Sequence, residues 1–194
     1  MGLMVDAAGV APGPLSAVVL DALAAPADPD LDRALGAGAA QRLRAELRAV
    51  ARRWVAAIAP GRAYEATSPA TALLALGDGA GPVVLVAPDI PSLGPEHRAA
   101  VVGDLAAGVG IVVGSAHDAR PYLVAFAERD PELVELAGSG FQTLMEAGAA
   151  RGLALSMIRH ERRLAGPGDA RALALDPLAP ARIIQQLGFL RPPG

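Results

Sequence analysis

Apolar positions along this chain fall into short continuous runs separated by helical-period segments. Residues 82–87, Pro-Val-Val-Leu-Val-Ala, form the clearest run, β-branched and uninterrupted as in a strand buried on both faces. Residues 2–5, 110–114, 121–127 and 153–158 read as further strands. Between them lie segments of helical period: 15–25, 69–76 with Pro in its first turn, 95–107, and 133–152 broken at Gly138-Ser139-Gly140. Over 39–57 the residues Ala40, Leu43, Leu47, Val50 and Trp54 mark one apolar helix face, and Arg44, Arg48 and Arg52 form an i, i+4 row on another. That row is read first as a solvated flank, with an anion site as the alternative. Residues 55–59 either continue the helix or form a strand before Pro60-Gly61, and 26–32 reads as a Pro/Asp loop.

Strands alternating with helices, at spacings too long for hairpins, predict an α/β fold: a mainly parallel sheet covered on both faces, three layers in all. At 194 residues the chain has the size of one ordinary domain, so 1–194 is read as a single unit. In such sheets ligands bind beyond the carboxyl ends of the strands. The loop 6–13, Asp89 and the loop 115–120 are expected there, with Asp6, Asp89 and Asp118 clustered at one edge.

Composition then removes several classes of function. Hydrophobic residues make up 53% of the chain and charged ones 19%, which excludes general disorder; only 3% is aromatic, so the core must be aliphatic. The longest apolar stretches are interrupted by Asp21 and Asp104, short of the roughly 20 residues a membrane span needs. No basic segment precedes an apolar run with a cleavage site, and a cytoplasmic location is the expectation. With no cysteine there is neither disulfide nor thiolate metal site. A net charge of −3 argues against a general nucleic-acid binder. All the basic residues are arginine, which excludes Schiff-base and P-loop lysine chemistry.

Four blocks carry a resemblance. Residues 5–18 run from a strand into a turn-rich loop that keeps Pro12-Gly13. Residues 84–93, Val-Leu-Val-Ala-Pro-Asp-Ile-Pro-Ser-Leu, end a buried strand on Asp89, Pro91 and Leu93. Residues 114–123 keep Asp118, Tyr122 and Leu123. Residues 141–170 keep Thr143-Leu144, Gly152-Leu153, Pro167 and Asp169. In this order they resemble small bacterial glycosyltransferases of the A-type fold, which are related to nucleotidyltransferases acting on phospholactate-type acceptors.

The resemblance implies the nucleotide-diphospho-sugar transferase fold and transfer of a glycosyl or nucleotidyl group from a nucleotide-activated small molecule. It implies Asp89 as a metal ligand for Mg²⁺ or Mn²⁺, and Asp6, Pro12, Gly13, Asp89 and Arg163 on the nucleotide side. Asp118 and His117 are implied as the catalytic pair; the alternative for His117 is a bland surface histidine. Several family positions are changed. The phosphate cations fall on Ala8, Ser16 and Val18, the glycine pair on Ala119 and Arg120, and metal-side carboxylates on Ser92, Arg163 and Ala165. Arg163 is expected to set a fixed cation where the metal charge would sit, helped by Arg162 or Arg120; the alternative leaves Arg162 and Arg163 exposed. The rival function is a non-catalytic descendant of the fold that binds a ligand or a protein. A homo-oligomer is left open.

Overall fold

The computed structural model describes residues 13–177 and 179–187. The strand expected at 2–5, and with it Asp6 and Pro12, lies outside the described residues.

Six strands form one sheet: β1 (Ser16–Leu20), β2 (Ala63–Ala66), β3 (Val83–Val86), β4 (Ile111–Ala116), β5 (Pro121–Phe126) and β6 (Leu155–Glu161), in the order β2-β1-β3-β5-β4-β6. All run parallel except β5, which is antiparallel to both β3 and β4. Helices cover the sheet: α1 (Pro29–Leu35), α2 (Ala37–Ile58), α3 (Pro69–Leu76), α4 (Pro95–Ala106), α5 (Pro131–Leu136), α6 (Phe141–Ala150), α7 (Pro167–Leu175) and α8 (Ala181–Gln186). This is the α/β class expected, a mostly parallel sheet between helices.

Proline does much of the punctuation. α1, α3, α4, α5 and α7 each begin with proline in the first turn, where the missing N–H would have no helical partner. Asp28, Ser68 and Asp130 cap three of these helices by accepting backbone N–H bonds. A proline-rich chain thereby remains regular, with prolines at these helix starts.

Three expectations need correction. Residues 15–25 form a strand and a short 3-10 turn (Asp21–Leu23), not a helix. Ala17-Val18-Val19-Leu20 is fully buried between β2 and β3, and an apolar run buried on both faces has no period that separates helix from strand. β4 and β5 form a hairpin around residues 117–120, so one strand pair is joined directly rather than by a crossover. Finally α1 occupies part of the stretch read as a loop, and the short edge strand β2 was not expected. Residues 55–58 continue the helix.

The main core surrounds β1, β3, β4 and β5. A second core joins α1, α2, α7 and α8 through Leu31, Leu43, Leu47, Leu173 and Ile183. α2 serves both: Leu43 and Leu47 enter the second core, while Ala51, Trp54 and Val55 enter the first. Trp54 is 2% exposed and its Nε1 donates to the Gly94 carbonyl at 2.9 Å, tying α2 to the loop after β3. Gly114 is required for a different reason. A Cβ there would lie 2.5 Å from the Tyr122 ring, which crosses β4 to donate its hydroxyl to the Arg159 carbonyl.

Trp54→Ala is expected to cost about 3–5 kcal/mol, because it removes a large buried side chain and leaves a cavity. Urea denaturation measures this; an unchanged midpoint would place this helix face outside the core.

Candidate functional site

Because β1, β3, β4 and β6 are parallel, their carboxyl ends share one edge of the sheet, joined there by the amino end of β5. Four segments meet at this edge: 21–28 after β1, 87–94 after β3, the 117–120 turn, and 162–166 after β6. Gly13 is at the opposite edge, packed against Gly81 just before β3, so it does not share the site with Asp89. Ser16 and Val18 are buried within β1. The loop that follows β1 at this edge is therefore 21–28, and the first block of the resemblance is displaced along the chain.

The centre of the edge is Arg163, 4% exposed. A guanidinium has five N–H donors, and here every one meets a protein acceptor. Nε faces Asp118 Oδ2 at 3.2 Å. Nη1 donates to Asp89 Oδ1 at 2.8 Å and to the Leu23 carbonyl at 2.8 Å. Nη2 donates to the Pro121 and Arg120 carbonyls. Arg163 is thus neither exposed nor available to a phosphate, which corrects both readings of it. It is an internal cation that ties together the segments after β1, β3, β4 and β6.

Asp89 sits on this cation. Its Oδ2 also accepts the Ala25 N–H at 2.8 Å, and its carbonyl accepts from Leu164 N at 3.0 Å. Burial pushes the Asp89 carboxyl above its usual range, and the Arg163 charge with the Ala25 hydrogen bond pulls it part of the way back. Asp118 is half-exposed and accepts the Arg120 N–H at 3.1 Å across the turn. Ala119, at φ 62°, holds the left-handed conformation that the resemblance assigns to a glycine. His117 projects from the same turn into solvent, and its ring has no hydrogen bond among the described residues. Asp89 and Asp118 are therefore brought together through Arg163, with His117 at the rim.

Beside this pair is a second buried cluster that the sequence reading missed. Glu161 accepts from Ser92 Oγ and Arg159 Nε, and from His97 Nε2 at 2.9 Å. His97 is 1% exposed, and its Nδ1 accepts the Gly94 N–H at 3.1 Å, so Nε2 carries the proton. Burial alone would raise the Glu161 carboxyl, but the bonds from His97, Arg159 and Ser92 outweigh it and hold the group down to about 2. The one available signal was the charged run 159–163 at the end of a buried strand.

A cleft of about 180 Å³ opens at the edge, lined by Pro88 and Asp89, by residues 24–27, and by Arg44, Leu47 and Arg48 of α2. The arginine row of α2 is ion-paired rather than merely solvated: Arg44 with Asp32, Arg48 with Asp21 and Glu65, and Arg52 with Glu65.

The residues present do not fit a divalent ion. Asp89 already binds a guanidinium, positions 92, 163 and 165 carry no carboxylate, and no group of three acidic or histidine side chains gathers for a metal among the described residues. No described helix is long and apolar enough to cross a membrane.

The fold is shared with a solved structure described as a nucleotide-diphospho-sugar transferase. A crystal structure of a candidate nucleotide-diphospho-sugar transferase from Desulfovibrio desulfuricans G20 superposes with a TM-score of 0.67 at 15% identity, covering 91% of this chain and 95% of that one. Two structures of Rv0371c from Mycobacterium tuberculosis H37Rv, one a manganese complex, match with a TM-score of 0.46 at 14% identity, over 83% of this chain and 97% of theirs. No protein-family model and no curated protein matches the chain.

Removing one partner of a buried ion pair leaves the other uncompensated, at about 3–5 kcal/mol. Arg163→Met is expected to lower stability by that order, and Asp89→Asn in the same chain to restore most of it, measured by chemical denaturation. Additive losses would mean that the pair is not coupled. A pH test concerns Glu161. Its folded value lies below the ordinary carboxylate value of 4.5, so its contribution is present above pH 4.5 and lost as pH falls toward about 2. Glu161→Gln should flatten the stability profile over that window; an equally steep fall would assign the acid sensitivity to other groups.

Proposed function

We propose that this chain is a single-domain, transferase-like protein that takes a nucleotide-activated small molecule at the carboxyl edge of its sheet without a divalent metal. The observation that carries this reading is Arg163. A divalent ion at such an edge bridges protein carboxylates to the diphosphate and cancels charge on both. Here the Arg163 guanidinium occupies the Asp89 carboxylate from within the protein. Asp89 then no longer repels phosphates as a bare anion would, and no ion is needed to neutralise it.

In the transfer reaction that the fold suggests, glycosyl or nucleotidyl, Asp118 and His117 are the groups placed at the turn over the edge. His117 is the one with an unengaged ring, suited to accept a proton from an incoming hydroxyl. A second reading rests on the size of the cleft. At about 180 Å³ it falls below the roughly 300–1,000 Å³ of ordinary small-molecule sites. That favours a non-catalytic descendant of the fold that binds a smaller ligand or a partner.

Calorimetric titration of nucleoside diphosphates and nucleotide sugars, with Mn²⁺ and with chelator, tests the proposal. Binding of equal strength in both conditions is expected. Strictly metal-dependent binding would overturn it, and no binding of any nucleotide would leave the non-catalytic reading in its place.

A further inference from the structure

We infer that Arg44 and Arg48 of α2 form an oxyanion subsite that receives the diphosphate of the ligand. The identification of that diphosphate as part of a nucleotide rests on the function proposed above.

The argument begins with the charge around the cleft. A diphosphate needs cations, and the loop 21–28 after β1 supplies none: it reads Asp-Ala-Leu-Ala-Ala-Pro-Ala-Asp. Arg163 has spent all its donors inside the protein. Arg44 and Arg48 stand one helical turn apart, and both line the same cleft as Asp89. With Asp89 paired to Arg163, Arg44 and Arg48 are the other cations at the cleft, each also ion-paired to a carboxylate.

The second step is a count of donors. Of five N–H groups each, Arg44 uses one, on Asp32, and Arg48 uses two, on Asp21 and Glu65. Most of each fork therefore stays available, at side-chain exposures of 42% and 33%. Arg52, the next in the row, holds Glu65 with two bonds and does not line the cleft. The row thus divides into two arginines that face the site and one that does not. Guanidinium forks match phosphate oxygens bidentately, and a pair of them suits a diphosphate in particular. The cleft of about 180 Å³ has room for such a group, leaving the rest of a nucleotide outside it. Asp21 and Asp32 then hold the arginines in place until an anion competes for them.

The test uses the full chain, with inorganic pyrophosphate in chelator as probe and a nucleoside diphosphate beside it, both read by calorimetry. Ion pairs at exposed or partly exposed positions contribute little to stability, so Arg44→Gln, Arg48→Gln and Arg52→Gln are all expected to fold, as circular dichroism verifies. Pyrophosphate affinity should fall roughly tenfold or more in Arg44→Gln and in Arg48→Gln. It should stay unchanged in Arg52→Gln and rise in Asp21→Asn. It should also weaken with added salt. An equal loss in Arg52→Gln would reduce the effect to general charge and overturn the inference. So would wild-type protein that fails to bind pyrophosphate, or nucleotide binding indifferent to Arg44 and Arg48; the latter leaves the proposed function standing. Arginine-dependent pyrophosphate binding without nucleotide binding would do the reverse, keeping the oxyanion subsite and removing the nucleotide.

Discussion

The carboxyl edge of the sheet depends on one buried cation. Arg163 arrives from the end of β6, reaches Asp89 after β3, and hydrogen-bonds carbonyls after β1 and at the start of β5. In a parallel sheet these loops have no ladder bonds to one another, so something outside the sheet must fix their relative positions. A planar donor with five fixed N–H directions can do this for several acceptors at once. A lysine, a compact point charge, could not hold the same set.

The energetic meaning of the pair is specific rather than simply stabilising. Burying two charges costs several kcal/mol each, and their attraction repays this only when the remaining donors and acceptors are satisfied. That condition is met: Asp89 also accepts from Ala25, and each Arg163 N–H has its own acceptor. What the arrangement secures is a single geometry for four segments that are otherwise loops. The neighbouring Glu161 cluster repeats the design, with one buried carboxylate joining Ser92 and His97 of one segment to Arg159 of another.

The sequence disclosed the parts of this fold whose patterns are unambiguous. β3 and α3 were legible because an uninterrupted β-branched run and a Ser-Pro helix start admit few other readings. β1 was not, since Ala17-Val18-Val19-Leu20 suits either a buried strand or a buried helix, and only the neighbouring strands decide. That one ambiguity displaced the first motif, placing Gly13 at the site when it lies at the far edge. The role of Arg163 was half legible. Its position opposite Asp89 followed from the order of motifs, but a charged residue after a strand gives no sign of being buried. The His97–Glu161 contact spans 64 residues and leaves no periodic trace.

Positions 92, 163 and 165 are best understood together. A carboxylate buried alone would lack a counter-ion, and Asp89 has one in Arg163. The same guanidinium makes this edge hostile to a divalent ion, which would meet a fixed positive charge. Ser92 donates to Glu161, and the backbone N–H of Ala165 faces Asp169 at 3.3 Å in the cap of α7. Each of the three residues therefore has its own partner within the protein, and none of them is a carboxylate that could hold an ion.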